Sequence, residues 1–476
     1  MPSKLFGLRT VAGRVRALTA LALLALAVLF TATEMASGDA REGLDALGHS
    51  EGPMVVATAD MYLALSDMDA LVTNALLAGN QVGWLCDPGT EGSVCERSRT
   101  RYTYDIRRED AQRAALQAAQ LAQGDPVRLQ SVRSVLDGLH TYDQQVQAAM
   151  EVGRRDGPAT AALPPEAVRK YRAATALMTR NLLPKAHNLT LDGAADVDEA
   201  YRDERSAVRA GWIRVVGAGS ALLVALAGLQ VYLARRFRRL LSVPLAVALA
   251  GTLALTVAGA SLLATESDHL RAAKTAGLDP VLQLTRTRAV FKGMDTDRGR
   301  WLLDPADADR YDQMYLEKAQ SILYIPGATN LDDYVGKLEL PKPGEDARAA
   351  GFGGFYGRWS DRASTPEQAR EIRRQLARYR HYQVYDKGVR AENDRASALR
   401  IHLAPEDGAP ELPDSSFRVH DQEFDAWISR HEFIGARAVA RGDRALEHWD
   451  WLPPAAALAI AALIVAGVWP RLSEYR

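Results

Sequence analysis

Few residues in this chain have the types and spacing that catalysis or metal binding requires. Cys86 and Cys95 are the only cysteines, and the residues between them (DPGTEGSV) favour turns. Such a pair can close a short loop as a disulfide in an oxidising compartment. The alternative is two free, buried thiols. With no third ligand nearby, the spacing makes a poor zinc site. The run GFGGFYG at Gly351–Gly357 looks like a phosphate loop. It lacks the preceding apolar strand and the lysine that such a loop needs. HEFIG at His431 lacks the second histidine of a zinc protease motif, so His431, on an apolar helical stripe, reads as packing. No nucleophile elbow and no CxxC pair is present. The expectation is therefore a protein without catalytic residues, cofactor or metal.

Three groups suit binding better. Arg97, Arg99, Arg101, Tyr102 and Tyr104 form a basic and aromatic patch just after the second cysteine. Arg298, Arg300 and Trp301 form a similar one. Guanidinium groups pair in two-point fashion with carboxylates, so either patch suits a carboxylate ligand or an acidic partner. The plainer reading of both is a solvated, amphipathic helix face. Phe352, Phe355, Tyr356 and Trp359 gather in a loop at about Ile325–Pro366 that breaks the helical pattern with Pro and Gly. Long irregular loops of this kind often carry function.

The elements that must position these groups are dictated by hydropathy. The composition is 47% hydrophobic and 25% charged with a net charge of −1, which gives no basis for bulk nucleic-acid binding. The apolar residues are gathered into four blocks, at 15–34, 211–234, 240–264 and 451–469. Each approaches the roughly 20 residues that cross a hydrocarbon core. In lipid such blocks must be helices, because the backbone has to satisfy its own hydrogen bonds. The first block can also be read as a cleaved signal peptide, since small residues follow it near Ala36–Gly38.

Arginines and lysines lie beside one end of every block and acids beside the other. The positive-inside rule puts 1–14, 235–239 and 470–476 in the cytoplasm. Residues 35–210 and 265–450 then lie outside. Arg235, Arg236, Arg238 and Arg239 fill the short link. They set topology and could contact anionic lipid or a cytoplasmic partner. The second to fourth blocks carry no central ionisable residue, which argues against an ion or substrate path. They do carry small residues four apart, such as Ala250, Ala254 and Ala258, which permit close helix contact.

Between the blocks the apolar spacing is helical. Met61, Leu65, Met68 and Val72 repeat at four-three steps, as do Tyr171, Thr175, Met178 and Leu182, and Ile372, Leu376 and Tyr379. Such stripes predict bundled helices. The fold class expected is an all-α membrane protein. It has four transmembrane helices and two extracytoplasmic helical bundles, a duplicated span–bundle–span unit. A weak repeat (His140–Asp156 and His381–Arg395) agrees with duplication. The last helix of each bundle is expected to run on into a span.

A span–bundle–span unit is similar to the sensor modules of bacterial chemoreceptors and histidine kinases. The chain resembles more closely one actinobacterial family. Its member is a four-span membrane protein encoded beside protein kinase G and a glutamine-binding lipoprotein. That resemblance rests on architecture and carries no residue roles with it. It implies sensing of an extracytoplasmic ligand or a ligand-loaded binding lipoprotein, with amino acids such as glutamate or aspartate as the cue. It also implies relay to a separate cytoplasmic Ser/Thr kinase. The competing expectation is a scaffold that uses its bundles only for docking. The lipid bilayer is the partner implied in either case.

Overall fold

The computed structural model describes residues 11–78, 96–153, 163–237, 242–338, 353–362, 366–392, 394–403 and 417–473. Cys86, Cys95, Phe352, Arg238 and Arg239 lie outside them, so the disulfide expectation does too. Among the described residues the structure is helical. An isolated bridge between Tyr324 and Gly353 is the sole extended pairing. Four helical stretches are long and apolar enough to cross a membrane: Gly13–Ala78, Pro165–Arg235, Val243–Leu303 and His420–Pro470. Each carries one of the four apolar blocks, the third from Val243 onward.

The chain divides into two compact units. A span unit draws on Met1–Pro53, Ala194–Asp279 and His431–Arg476. It contains α1 (Val11–Gly48), most of α6 (Leu183–Phe237), α7 (Val243–Ala272), the end of α14 (Phe417–Leu446) and α15 (Leu452–Ser473). Its core is aliphatic and small: Ala22, Leu26, Leu222, Leu226, Leu255 and Ile464 are all buried in it. Glycine allows close approach where a side chain would not fit. A Cβ on Gly277 would lie 2.5 Å from the Gly435 Cα. Beside that contact, His431 Nδ1 lies 2.7 Å from the Ala276 carbonyl, to which it donates. His431 thus has the structural part expected of it.

A bundle unit draws on Met54–Gly193 and Pro280–Arg430. It contains α2 (Glu51–Ala78), α3 (Glu96–Leu121), α4 (Pro126–Val152), α5 (Pro165–Leu177), α8 (Asp279–Leu303) and α9 (Ala308–Ile322). It continues with α10 (Leu331–Gly336), α11 (Gly354–Arg362), α12 (Pro366–Ala391), α13 (Arg395–Leu403) and the start of α14. The stripe residues Met61, Leu65, Met68, Val72, Tyr171, Met178 and Leu182 are buried in one core together with Leu302, Leu303, Val389 and Leu399. Residues from before the second apolar block and after the third therefore share a core. The segment read as an irregular loop at Ile325–Pro366 contains α10 and α11. Gly354, at φ +72°, starts α11 against the carbonyls of Ser321 and Ile322.

Two π-helical turns interrupt the long helices, at Met178–Leu182 and Ala273–Leu278. Each is followed, after one residue, by a proline. Leu183 N–H bonds to the Met178 carbonyl and Pro184 follows; Asp279 N–H bonds to the Lys274 carbonyl and Pro280 follows. A proline cannot donate to the preceding turn and its ring crowds that carbonyl. Widening the helix by one residue accommodates it, and such bulges often accompany functional sites. After the first π turn α6 runs 55 residues without a break, as expected of the helix entering the second block. The last helix differs. α14 stops at Leu446, and one 3-10 turn, Glu447–Asp450, precedes α15, whose first turn holds Pro453 and Pro454.

Candidate functional site

The site lies within the bundle unit and is built on α8. Its sequence Met-Asp-Thr-Asp-Arg-Gly-Arg-Trp places an acid three residues before each arginine, so Asp295 faces Arg298 and Asp297 faces Arg300. Both pairs form, and all four side chains are buried. A buried charge is tolerated only when paired and hydrogen-bonded, and the neighbouring helices supply the rest. Asp69 of α2 takes the other arm of Arg300. Tyr171 of α5 lies 3.4 Å from the Arg300 Nε as its acceptor. Tyr171 in turn shares a 2.6 Å hydrogen bond with Thr73. Tyr142 of α4 donates to Asp69 at 3.3 Å, and Lys318 of α9 binds the second oxygen of Asp297. Burial alone would lower the Arg300 pKa. Asp69, Tyr171 and Asp297 raise it well above its usual value, so the guanidinium stays charged.

A second centre surrounds Arg298. Its Nε donates to His402 Nδ1 at 3.0 Å, and His402 Nε2 lies 3.2 Å from the Asn74 amide oxygen. Burial, with help from Arg298, holds the His402 pKa down to about 4. The ring is thus neutral, accepting at Nδ1 and donating at Nε2. The Arg298 guanidinium also lies over the rings of Tyr382 and Tyr385, 5.5 and 5.4 Å from their centroids. Further out, Arg288 binds Asp421 through two nitrogens at 2.7 and 3.1 Å, and Lys292 joins Asp421 to Asp67. Arg172 of α5 holds Asp304 at 2.6 and 2.8 Å. The lattice ties residues of 54–193 to residues of 280–430 by charge as well as by apolar contact.

Beside the first centre a cavity of about 440 Å³ opens to the surface. Asp69, Glu317, Arg300 and Lys318 form its charged wall. Tyr62 and His187, with ring centroids 5.5 Å apart, form part of another, next to Asn188. Burial, reinforced by Arg286, lowers the His187 pKa, and burial raises that of Tyr62. Val290, Ala289, Leu183 and Met314 supply apolar surface. Thr179, in the π turn, and Leu183, Pro184, His187 and Asn188, in the first turns of α6, all reach the cavity. Mixed apolar walls with a few placed polar groups are usual for small-ligand sites.

The residues singled out by sequence are distributed as follows. Arg300 is at the charged wall, Arg298 is the second centre, and Trp301 stacks under the Arg390 guanidinium at 5.4 Å. Their arginines are not a solvated face: the carboxylates they were expected to bind come from the chain itself. Tyr104 is buried and donates to Asp143 at 2.9 Å. The side chains of Arg97, Arg99, Arg101, Tyr102 and Arg236 are outside the described set, and Arg235 is exposed. Phe355 and Tyr356 are core residues, with Trp359 packed against them; none of them lines the 440 Å³ cavity. Sequence reasoning missed Asp67, Asp69, Asp297 and Lys318. The signal was there: Asp67-Met-Asp69 interrupts the apolar stripe of α2, and Asp297 precedes Arg300 by three.

These features define an all-helical protein with four helices suited to a membrane and a separate charged bundle carrying a ligand-sized cavity. Residues 43–202 match the family model described as the actinobacterial sensor domain. The match covers roughly one third of the chain and suggests a sensing role. It runs from the end of α1 through α2–α5 into α6, and so includes Asp69, Tyr171 and His187. No curated protein and no solved structure matches the chain.

Proposed function

We propose that the protein is a membrane signal-transduction component. Its bundle unit lies outside the cytoplasm and detects a small polar solute, or a binding lipoprotein loaded with one. The signal passes through the spans to a separate cytoplasmic partner, a Ser/Thr kinase being the first to test. The observation that carries this reading is the course of α6. The same unbroken helix lines the cavity with Leu183, Pro184, His187 and Asn188 and carries the second apolar block to Phe237. A change at the cavity can therefore move the span without passing through a flexible joint. The π turn before Pro184 offers a place for that change, since a widened turn can revert to ordinary helix at small cost. The wall carries both signs of charge, Asp69 and Glu317 beside Arg300 and Lys318, and a solute bearing both charges could exchange with its internal pairs, which makes glutamate and aspartate the first cues to test. The sidedness rests on the basic residues that flank each apolar block.

The test places cysteine pairs in the second and fourth spans of the full chain, with Cys86 and Cys95 changed to serine. Crosslinking is measured in lipid with glutamate, aspartate, glutamine or a purified solute-binding lipoprotein. A changed pattern that disappears in Lys318→Met supports the reading. An unchanged pattern with every one of these probes overturns it and leaves a docking scaffold.

A further inference from the structure

The span unit contains two acids that the ion-pair lattice does not explain. Glu266 lies on α7, two residues beyond the third apolar block. Its side chain is wholly buried, and neither carboxyl oxygen has a hydrogen-bond partner. Glu204 lies on α6, before the second block, and its Oε2 is likewise buried and unpartnered. Glu204 is packed against α1, and Glu266 against α14 where Leu44 of α1 also meets it. A Cβ on Gly43 would sit 3.1 Å from Glu204 Cβ. A Cβ on Gly442 of α14 would sit 2.8 Å from Glu266 Oε2 and 2.7 Å from Leu44. The two carboxyls thus occupy the seams where α1 meets α6, α7 and α14.

An ionised carboxylate in such a place needs a cation or donors. The charged groups on each element facing the junction do not provide them. On α1, Arg41 is committed to Asp450 and to the Leu446 carbonyl. Asp39 is paired with Arg214 of α6 at 3.6 Å; Glu42 and Asp45 are further acids. On α6, Asp203 adds negative charge beside Glu204. On α14, Asp443 does so beside Glu266, and Arg441 and Arg444 form no ion pair with it. On α7, Asp268 is acidic and Arg271 is not bonded to either glutamate. His269 has its pKa lowered by burial and then by Arg441, so its ring is neutral near pH 7. Burial first, and then Asp443, pushes the Glu266 pKa up to about 7. Burial first, then Glu42, Asp39 and Asp203, pushes that of Glu204 up to about 7.

We propose that this junction is a proton-binding site. Uptake of one proton by Glu266 and one by Glu204 closes the seams of α1 against α6, α7 and α14. Release of those protons leaves two unpaired charges that pry the seams apart. Proton concentration is then a second input to the span helices, separate from the cavity in the bundle unit and independent of what that cavity binds. Acid favours the tight junction because the neutral carboxyls need no counter-ion; alkali favours the loosened one.

The test uses the full chain in lipid nanodiscs, with Cys86 and Cys95 changed to serine. Spin labels are placed at the exposed positions Met35 of α1 and Phe433 of α14 through Met35→Cys and Phe433→Cys. The inter-label distance is measured across a pH series by pulsed electron resonance. The expected result is a shorter, narrower distribution in acid and a transition centred near pH 7. The Glu204→Gln, Glu266→Gln double variant should hold the acid distribution throughout. A distance that does not respond between about pH 6 and pH 8, or a transition that survives in the double variant, overturns the proposal. Infrared difference spectra of the unsubstituted chain decide the matter if the variant fails to fold. Two carboxyl C=O bands that titrate near neutrality support the site, and their absence overturns it.

Discussion

The two units bury charge in opposite ways. In the bundle unit every central charge has a partner: Arg300 has Asp69 and Asp297, Arg298 has Asp295, and Arg288 has Asp421. In the span unit Glu266 is wholly buried and has no partner among the described residues. A compensated lattice fixes one arrangement, because each ion loses its counter-charge if a helix shifts. An uncompensated acid does the reverse and makes the arrangement depend on a proton. The contrast teaches that one part of the molecule is built to be specified and the other to be adjusted.

The comparison breaks most sharply at Arg300. Arg300→Met leaves Asp69 buried without a cation and Asp297 with Lys318 alone, and should cost about 3–5 kcal/mol of stability, read as a fall in the unfolding midpoint of the purified full chain. Adding Asp69→Asn should restore part of the loss. A loss smaller than about 1 kcal/mol would mean that water reaches these carboxylates.

Glu266→Gln should do the opposite and stabilise the chain, on the order of 3 kcal/mol at about pH 8 and not at all at about pH 4. The sign follows from the raised pKa. Between the ordinary 4.5 and about 7 the folded state holds a proton that the unfolded state has released, so wild-type stability falls as pH climbs through that window. Denaturant titrations at the two pH values check it, and equal effects at both would remove the distinction between the units.

His402 sharpens the comparison with the contrary sign. Its pKa is depressed from 6.5 to about 4, so the unfolded state takes up a proton first and stability falls as pH drops through that window. His402→Gln, which can still accept from Arg298 and donate to Asn74, should remove about 2 kcal/mol of that acid loss at about pH 5 and leave stability near pH 8 little changed. Hydrogen exchange by mass spectrometry localises the effect: peptides of α13 should be protected in the variant, those of α7 unaffected. The smallest effect belongs to an exposed pair. Arg41→Ala, which removes the contact with Asp450, should change stability by less than about 1 kcal/mol. A larger loss in the same titration would show that surface pairing matters in the span unit as well.

Much of the fold was legible because its signals are local. Four apolar blocks and the stripes Met61–Val72 and Tyr171–Leu182 report helices by composition and period alone. The π turns were equally local, since a proline follows each after one residue, but a proline within a helical pattern reads first as a break or kink. The aromatic run Phe355–Trp359 was misleading, because glycines around aromatic residues suggest a loop, whereas Gly354 at positive φ starts a buried helix.

The site was half legible. Arg298, Arg300 and Trp301 stood out by type, but the acid three residues ahead of each arginine, a mark of pairing, was missed, and the plainer reading was a solvated face. Their remote partners had no such mark. Asp69 is 231 positions from Arg300, and Asn74 is 328 from His402; no periodicity connects residues that far apart.

The sequence by itself determined the helices, the four of them apolar enough to cross a membrane and the residues able to hold charge, because these depend on local composition and on the solvent each segment can tolerate. Tertiary structure alone decided that Leu302, Leu303, Val389 and Leu399 join the core of residues 57–189, while residues 281–428 build a second, aromatic core. It decided which acid meets which arginine, and it left Glu266 unpartnered among four helices. Those outcomes depend on long-range packing, in which a charge acquires its meaning from whatever the fold brings opposite it.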